Sequence, residues 1–233
     1  MPNVFYGKKN NDKILLDEKE TSHLKVVRKI PGEEINVITG DGFVYNAIIE
    51  SIKKKETILS IKDKTSVKEK FTPYLSIYFG MSKWDRTQIL LEKLVELRVN
   101  EFNVYCGDKS EIKYINLEKF QRTIIEASKQ TIYASIPPIN IIKFEQIPQV
   151  NTIVLDFVDN KRTFKDFIKY SDENQKINIV IGPDVGFSKR EKEFFFDNNY
   201  LIINLGEAIL RFETAAIYAV SAINYEFNRL YQN

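Results

Sequence analysis

From Tyr74 onward short apolar runs alternate with helical stretches, and this rhythm narrows the possible folds more than any other feature of the chain. "YLSIYFG", "EFNVY", "TIVLDFV", "INIVIG" and "YLIINL" are runs of strand length, rich in Ile, Val, Leu, Phe and Tyr. Between the first two, "KWDRTQILLEKLVELRV" places Leu90 or Leu91, Leu94, Val95 and Leu97 at helical intervals. "LEKFQRTIIEASKQTI" reads as a second helix that stops before Pro137-Pro138. A long helix, "RFETAAIYAVSAINYEFNRL", closes the chain, with Ala216, Ala219 or Val220, Ile223, Phe227 and Leu230 on one apolar stripe. Strands alternating with helices predict an α/β domain around a mostly parallel sheet.

The first part follows another rule. "EEINVITG", "FVYNAIIESI" and "ETILSIKDK" succeed one another with turn residues between them, and "TGDG" (Thr39 to Gly42) suits a hairpin loop. In the middle run Phe43, Tyr45, Ala47 and Ile49 alternate with Val44, Asn46, Ile48 and Glu50. Strands this close in sequence predict a small antiparallel barrel or sandwich. The charged segment "KDKTSVKEKFTP", residues 62–73, is the expected linker.

Composition limits the chemistry. Of 233 residues, 43% are hydrophobic, enough for a full core in one or two domains. The net charge of +2 does not announce a polyanion partner, although residues 1–70 hold 14 Lys and Arg against 11 Asp and Glu, a slight basic bias. One cysteine and one histidine exclude an intrachain disulfide and a Cys/His zinc site, and no metal is expected. Cys106, at the end of "EFNVYC", reads as a small buried residue. "MPNVFYGKKNNDKILL" lacks the pattern of a secretory leader, and no apolar run is long enough to span a membrane. The expectation is a cytoplasmic protein with no membrane contact.

Parallel α/β sheets bind ligands at the carboxyl ends of their strands. Two loops at such ends carry glycine, "IGPDVGFS" after "INIVI" and "LGEAILRFETAA" after "LIIN". Glycine lets backbone groups approach a ligand closely. Neither loop matches G-x-G-x-x-G or G-x-x-x-x-G-K-[ST], which argues against a dinucleotide dehydrogenase or a P-loop NTPase. Arg211 and Glu213 stand at the entrance of the last helix. Trp84, the only tryptophan, reads as a packing residue, and "KKKE" (Lys53 to Glu56) as a solvated turn.

Taken in order, "HLKVVRKIPGEEINVITGDG", "KWDRTQILLEKLVELRV", "EASKQ", "IGPDVGFS" and "LGEAILRFETAA" resemble the 16S ribosomal RNA uracil-N3 methyltransferases, the small-subunit methyltransferase E family of the SPOUT class. The resemblance implies a PUA-like antiparallel β-barrel over residues 1–70 that binds RNA, and an α/β methyltransferase domain over residues 71–233 with a deep trefoil knot. It implies a homodimer, S-adenosylmethionine as cofactor, and 16S rRNA or the small ribosomal subunit as partner. By the same analogy Ile181, Gly182, Gly186, Leu205, Gly206, Ile209 and Leu210 hold the cofactor. Arg211 and Glu213 would be catalytic, Arg211 stabilising a uracil anion and Glu213 organising it or acting as base. His23, Lys25 and Arg28 would contact RNA. The chain departs from the family at Asp184 and Val185, where the loop usually reads Glu-Gly, and at Tyr133, Ser135 and Ala208, where the family carries arginines. An RNA-binding relative without methylation activity, or with another RNA target, is the alternative.

Overall fold

A computed structural model describes residues 4–67, 71–157, 163–169 and 175–231. The chain divides into two compact units, one formed by residues up to 69 together with 125–136, the other by 70–124 and 137–232.

In the first unit the elements are β1 (Val4–Tyr6), β2 (Lys8–Asn10), β3 (Lys13–Leu16), α1 (Glu18–Val26), β4 (Glu34–Ile38), β5 (Phe43–Ile52) and β6 (Thr57–Ser66). The sheet order is β1-β4-β5-β6-β3-β2, antiparallel except for the parallel β1–β4 pair. Its two end strands are separated in sequence only by Gly7, so the sheet must curl until its edges meet. A side chain at Gly7 would run into Ile14, which explains the glycine. The predicted alternation in β5 holds inward, with Tyr45, Ala47 and Ile49 buried among Phe5, Ile14, Leu16, Val37 and Leu59. Residues 62–66 do not form a linker. They extend β6, pairing with Phe43–Asn46 past a bulge, and their charged side chains stay in water. Residues 68–70 lie outside the described residues.

Periodicity gives no sign of helix α1, because its short span is mostly polar. The helix starts on an Asp17 cap whose carboxylate accepts the Glu20 amide at 2.9 Å. Glu20 is buried, but both of its oxygens are used. Lys129 Nζ lies 2.5 Å from Oε1, and the Tyr6 amide donates to Oε2 at 3.1 Å. A buried ion pair persists only when hydrogen-bonded in this way.

The second unit holds β7 (Tyr74–Gly80), α2 (Trp84–Glu96), β8 (Glu101–Tyr105), α3 (Leu117–Thr131, shared with the first unit), β9 (Ile139–Ile141), β10 (Thr152–Leu155), α4 (Phe164–Lys169), β11 (Lys176–Ile181), α5 (Lys189–Asp197), β12 (Leu201–Ile203) and α6 (Phe212–Glu226). Its sheet runs β12-β10-β11-β7-β8-β9, and every pairing is parallel. Beyond the exposed first residues Tyr74 and Lys176 the central strands are buried, as near-continuous apolar runs require.

Two readings need correction here. Cys106 is exposed, because β8 ends at Tyr105 and the next residue leaves the sheet. The last helix stops at Glu226, and Leu230 is off its stripe. Asn228 takes a φ of 48° and turns the chain, so that Arg229 is buried instead. The Arg229 guanidinium donates to Pro73 O at 2.9 Å, to Arg98 O at 3.0 Å and to Asn100 Oδ1 at 3.0 Å.

Candidate functional site

Because the second sheet is wholly parallel, its strands all end on one edge. The loops leaving the three neighbours β12, β10 and β11 enclose a cavity of about 370 Å³ there. This lies within the range of small-molecule sites. Of the predicted cofactor residues, Ile181, Gly182, Gly186, Leu205, Ile209 and Leu210 line it. Gly206 does not. It shapes the turn from outside, with a φ of 137° and its amide on Asn204 Oδ1 at 3.1 Å. Asp156 and Phe157, just beyond β10, also line the cavity, and sequence reasoning does not single them out. The one hint is the position of "DF" after the apolar run "TIVL".

The loop after β11 is held from several sides. Pro183 O accepts the Gly186 amide at 2.7 Å, closing a turn that places the positive φ of 76° on Gly186. Val185 therefore keeps ordinary dihedrals, and its substitution for glycine brings no backbone strain. A side chain on Gly182 would press on Phe187 at 3.2 Å. Gly80, at the end of β7, passes so close below the loop that a Cβ there would sit 2.5 Å from Pro183. Ser82 Oγ accepts the Asp184 amide at 3.0 Å and donates to Gly80 O at 3.0 Å. Arg86 reaches the Asp184 carboxylate at 3.4 Å.

Past the loop, Ser188 caps α5 in a reciprocal box with Glu191. Glu191 is fully buried, accepting the Ser188 amide at 2.7 Å and the Asp108 amide at 2.9 Å. Asp108 in turn takes two bonds from Arg190, at 2.8 and 2.9 Å, and one from Ser188 Oγ at 2.6 Å. These bonds, Arg190 first, hold its carboxyl down to about 2. Tyr105 donates to Ile181 O at 3.0 Å, and burial pushes its phenol well above the ordinary range.

The second glycine loop enters α6. Leu210, Phe212 and Ala215 line the cavity, whereas Arg211 and Glu213 are not in its wall. Arg211 is exposed at the helix cap. Glu213, in the first turn, is 9% exposed, and among the described residues nothing hydrogen-bonds to its Oε2. The two charges do not pair. Residues two apart on a helix point in different directions. A buried acceptor without a partner is costly and marks a place for an incoming donor.

In the first unit His23 is half-buried with its ring 5.2 Å from that of Phe5. Lys25 is exposed and donates to Lys53 O at 3.2 Å. Arg28 is exposed at a φ of 58°, an uncommon conformation for a residue with a side chain. Trp84 packs, stacked on Phe120 at 5.5 Å with Lys119 Nζ 3.7 Å over its ring.

Among the described residues the cavity wall is apolar side chain and loop backbone, with Asn204, Asp156 and Asp184 as its polar side chains and no Lys, Arg or His. That donor set suits a neutral or cationic organic ligand and is poor for phosphates. Among the described residues no cluster of His, Cys, Asp and Glu is arranged for a metal ion, and no helix is long and apolar enough to cross a membrane.

A family model for an RNA methyltransferase domain matches residues 69–224, and one for an RNA methyltransferase PUA domain matches residues 16–62. The chain belongs to the RNA methyltransferase domain family. The ribosomal RNA small subunit methyltransferase E of Bacillus subtilis is 24% identical over 89% of this chain and 88% of its own. The second protein of that name in Borreliella burgdorferi is 29% identical over 89% of each. A crystal structure of a predicted RNA methyltransferase from Thermotoga maritima, 32% identical, covers 98% of this chain and 100% of its own with a TM-score of 0.84. The ribosomal RNA small subunit methyltransferase E of Neisseria gonorrhoeae, solved bound to S-adenosyl methionine, has the same fold, with 22% identity, 97% and 98% coverage and a TM-score of 0.82.

Proposed function

We propose that this chain methylates N3 of a uridine in the 16S rRNA of the small ribosomal subunit, with S-adenosylmethionine as donor. The observation that carries the reading is a cavity walled by two glycine loops and, among the described residues, without a cation in its wall, with a buried carboxylate whose Oε2 is unpartnered on the helix that leaves the second loop. The residues fit the cofactor. Backbone amides and carbonyls of 182–186 and 205 would read the adenine and ribose, and Ile181, Ile209 and Leu210 would enclose its apolar surface. When bound, the cofactor supplies an electrophilic methyl group on a sulfonium.

The protein's part is then positioning and electrostatics. Uridine N3 carries a proton that must leave for its electron pair to attack. Glu213, with one oxygen unpartnered, acts as the base. Arg211, exposed at the helix cap, stabilises the charge growing on the uracil oxygens. His23, Lys25 and Arg28 contact RNA phosphates, and residues 1–70 serve as the RNA-binding part beside a methyltransferase part over 71–233. The reading includes a trefoil-knotted SPOUT topology, a homodimer and a cytoplasmic site of action on the ribosome. Ala208, in place of a family arginine at the cavity, favours a second reading, in which the scaffold binds RNA without methylating it or acts on another RNA.

The test is incubation with labelled S-adenosylmethionine and small subunits lacking the modification, with naked 16S rRNA alongside, and mass spectrometric mapping of the product. Label at uridine N3, lost in Arg211→Ala and in Glu213→Gln, supports the proposal. Normal rates in both variants would remove these residues from catalysis, and absence of label with retained RNA binding would favour the second reading.

A further inference from the structure

The cavity has a sign. Among the described residues its side chains include two carboxylates, Asp156 and Asp184, and no cation. Each carboxylate has a basic partner that is not part of the wall. Lys192 Nζ lies 2.6 Å from Asp156 Oδ2, and Arg86 Nη1 lies 3.4 Å from Asp184 Oδ2. The carboxylate side chains are 13% and 10% exposed, while those of Lys192 and Arg86 are 45% and 35% exposed. Water thus screens the cations more than the anions. The N-terminus of α6 brings roughly half a positive charge near Phe212, but Glu213 in the same turn opposes it. Among the described residues, the charged side chains that face the cavity itself are both carboxylates.

We propose that this site selects its ligand by charge, holding a sulfonium donor more tightly than the neutral thioether that methyl transfer leaves behind, with Asp156 and Asp184 as the specificity-determining residues. The proposal rests on the cofactor reading above. In the transfer a bond forms from N3 to the methyl carbon, the carbon–sulfur bond breaks, and its electron pair stays on sulfur. The positive charge at sulfur disappears with that step. A cavity of negative sign loses its hold on the product and favours exchange for fresh donor, without any movement of the protein being required.

Titration calorimetry of the full chain with S-adenosylmethionine and with S-adenosylhomocysteine tests this directly. The wild type is expected to prefer the sulfonium on the order of tenfold, the worth of one charge beside a partly screened carboxylate. Asp156→Asn and Asp184→Asn should each reduce that ratio about threefold or more by weakening the sulfonium ligand, with the thioether's affinity unchanged within about twofold. The thioether is the internal control, because a damaged loop would lose both ligands together. Equal affinities in the wild type, a ratio that neither variant changes, or an equal loss of both ligands in both variants would overturn the proposal. Failure of the wild type to bind either ligand would instead overturn the cofactor reading itself.

Discussion

Gly80→Ala is the sharpest test of how the cavity is held. Gly80 is not a turn glycine, since its φ is not in the left-handed region; it is a glycine of close approach. The added Cβ would meet Pro183 Cδ and N at 2.5 Å, where ordinary contact begins at about 3.4 Å, and the backbone nitrogen cannot swing aside as a side-chain tip would. Pro183 or β7 must therefore move by nearly an ångström. Overpacking of this kind costs about 1–3 kcal/mol, or roughly 3–10 °C in melting temperature for a chain of this length. The displaced Pro183 opens the turn that Gly186 closes on it, so donor affinity should fall at least tenfold. Gly186→Ala is the comparison for stability alone, because Gly186 itself lines the cavity. At a φ of 76° with open space around it, the new methyl meets nothing and adds only the strain of the left-handed region, about 1–2 kcal/mol. Thermal melts on both variants, with donor titration on Gly80→Ala, separate the two effects. If Gly80→Ala melted and bound donor like the wild type, the close approach of β7 to the loop would not hold the cavity in shape.

Three other perturbations give distinct signatures. Asp108→Asn should lower the melting temperature at neutral pH; because the Asp108 carboxyl is depressed to about 2 in the folded chain, its stabilisation is complete above the unfolded aspartate range and is lost as pH falls through the folded value, so the gap from wild type should narrow from about pH 5 downward. Arg28→Gly should raise the melting temperature by about 2–4 °C, by relieving its positive φ, while weakening RNA binding and reducing the salt slope by about one in a filter-binding series. Ala208→Arg, which adds a cation at the cavity, should weaken donor binding and increase RNA affinity with a steeper salt dependence; unchanged values of both would detach position 208 from the site.

How much of the fold is legible in the sequence follows from the length of the signals. Strands buried on both faces give near-continuous apolar runs, so β7, β8, β10 and β11 stand out in the residue order alone, and β5 shows through its two-residue period. β1, β2 and β9 are three residues each, too short to display a period, and α1 hides because its span is mostly polar. The glycine loops are legible because their residues are consecutive. Gly80 is not, since the atom that forbids a side chain there belongs to Pro183, far along the chain. Asp156 is hidden for the same reason: only the order of strands in the sheet puts the end of β10 beside the ends of β11 and β12.

The same distinction separates the departures from the family pattern, which look equivalent in sequence and are not in space. Tyr133 is 2% exposed, a core residue of the first unit. Ser135 is half-buried, 3.4 Å from where a Cβ on Gly42 would lie, again inside the first unit. Val185 costs nothing, because the turn assigns the left-handed residue to Gly186. Asp184 keeps a basic partner in Arg86 despite its shorter side chain. Ala208 is left as the departure that alters the cavity, and what it alters is charge. An arginine there would supply a cation that the described wall otherwise lacks. Its absence makes Asp156 and Asp184 the only charged side chains among the described residues of the wall, so the sign of the cavity in this chain rests on those two carboxylates.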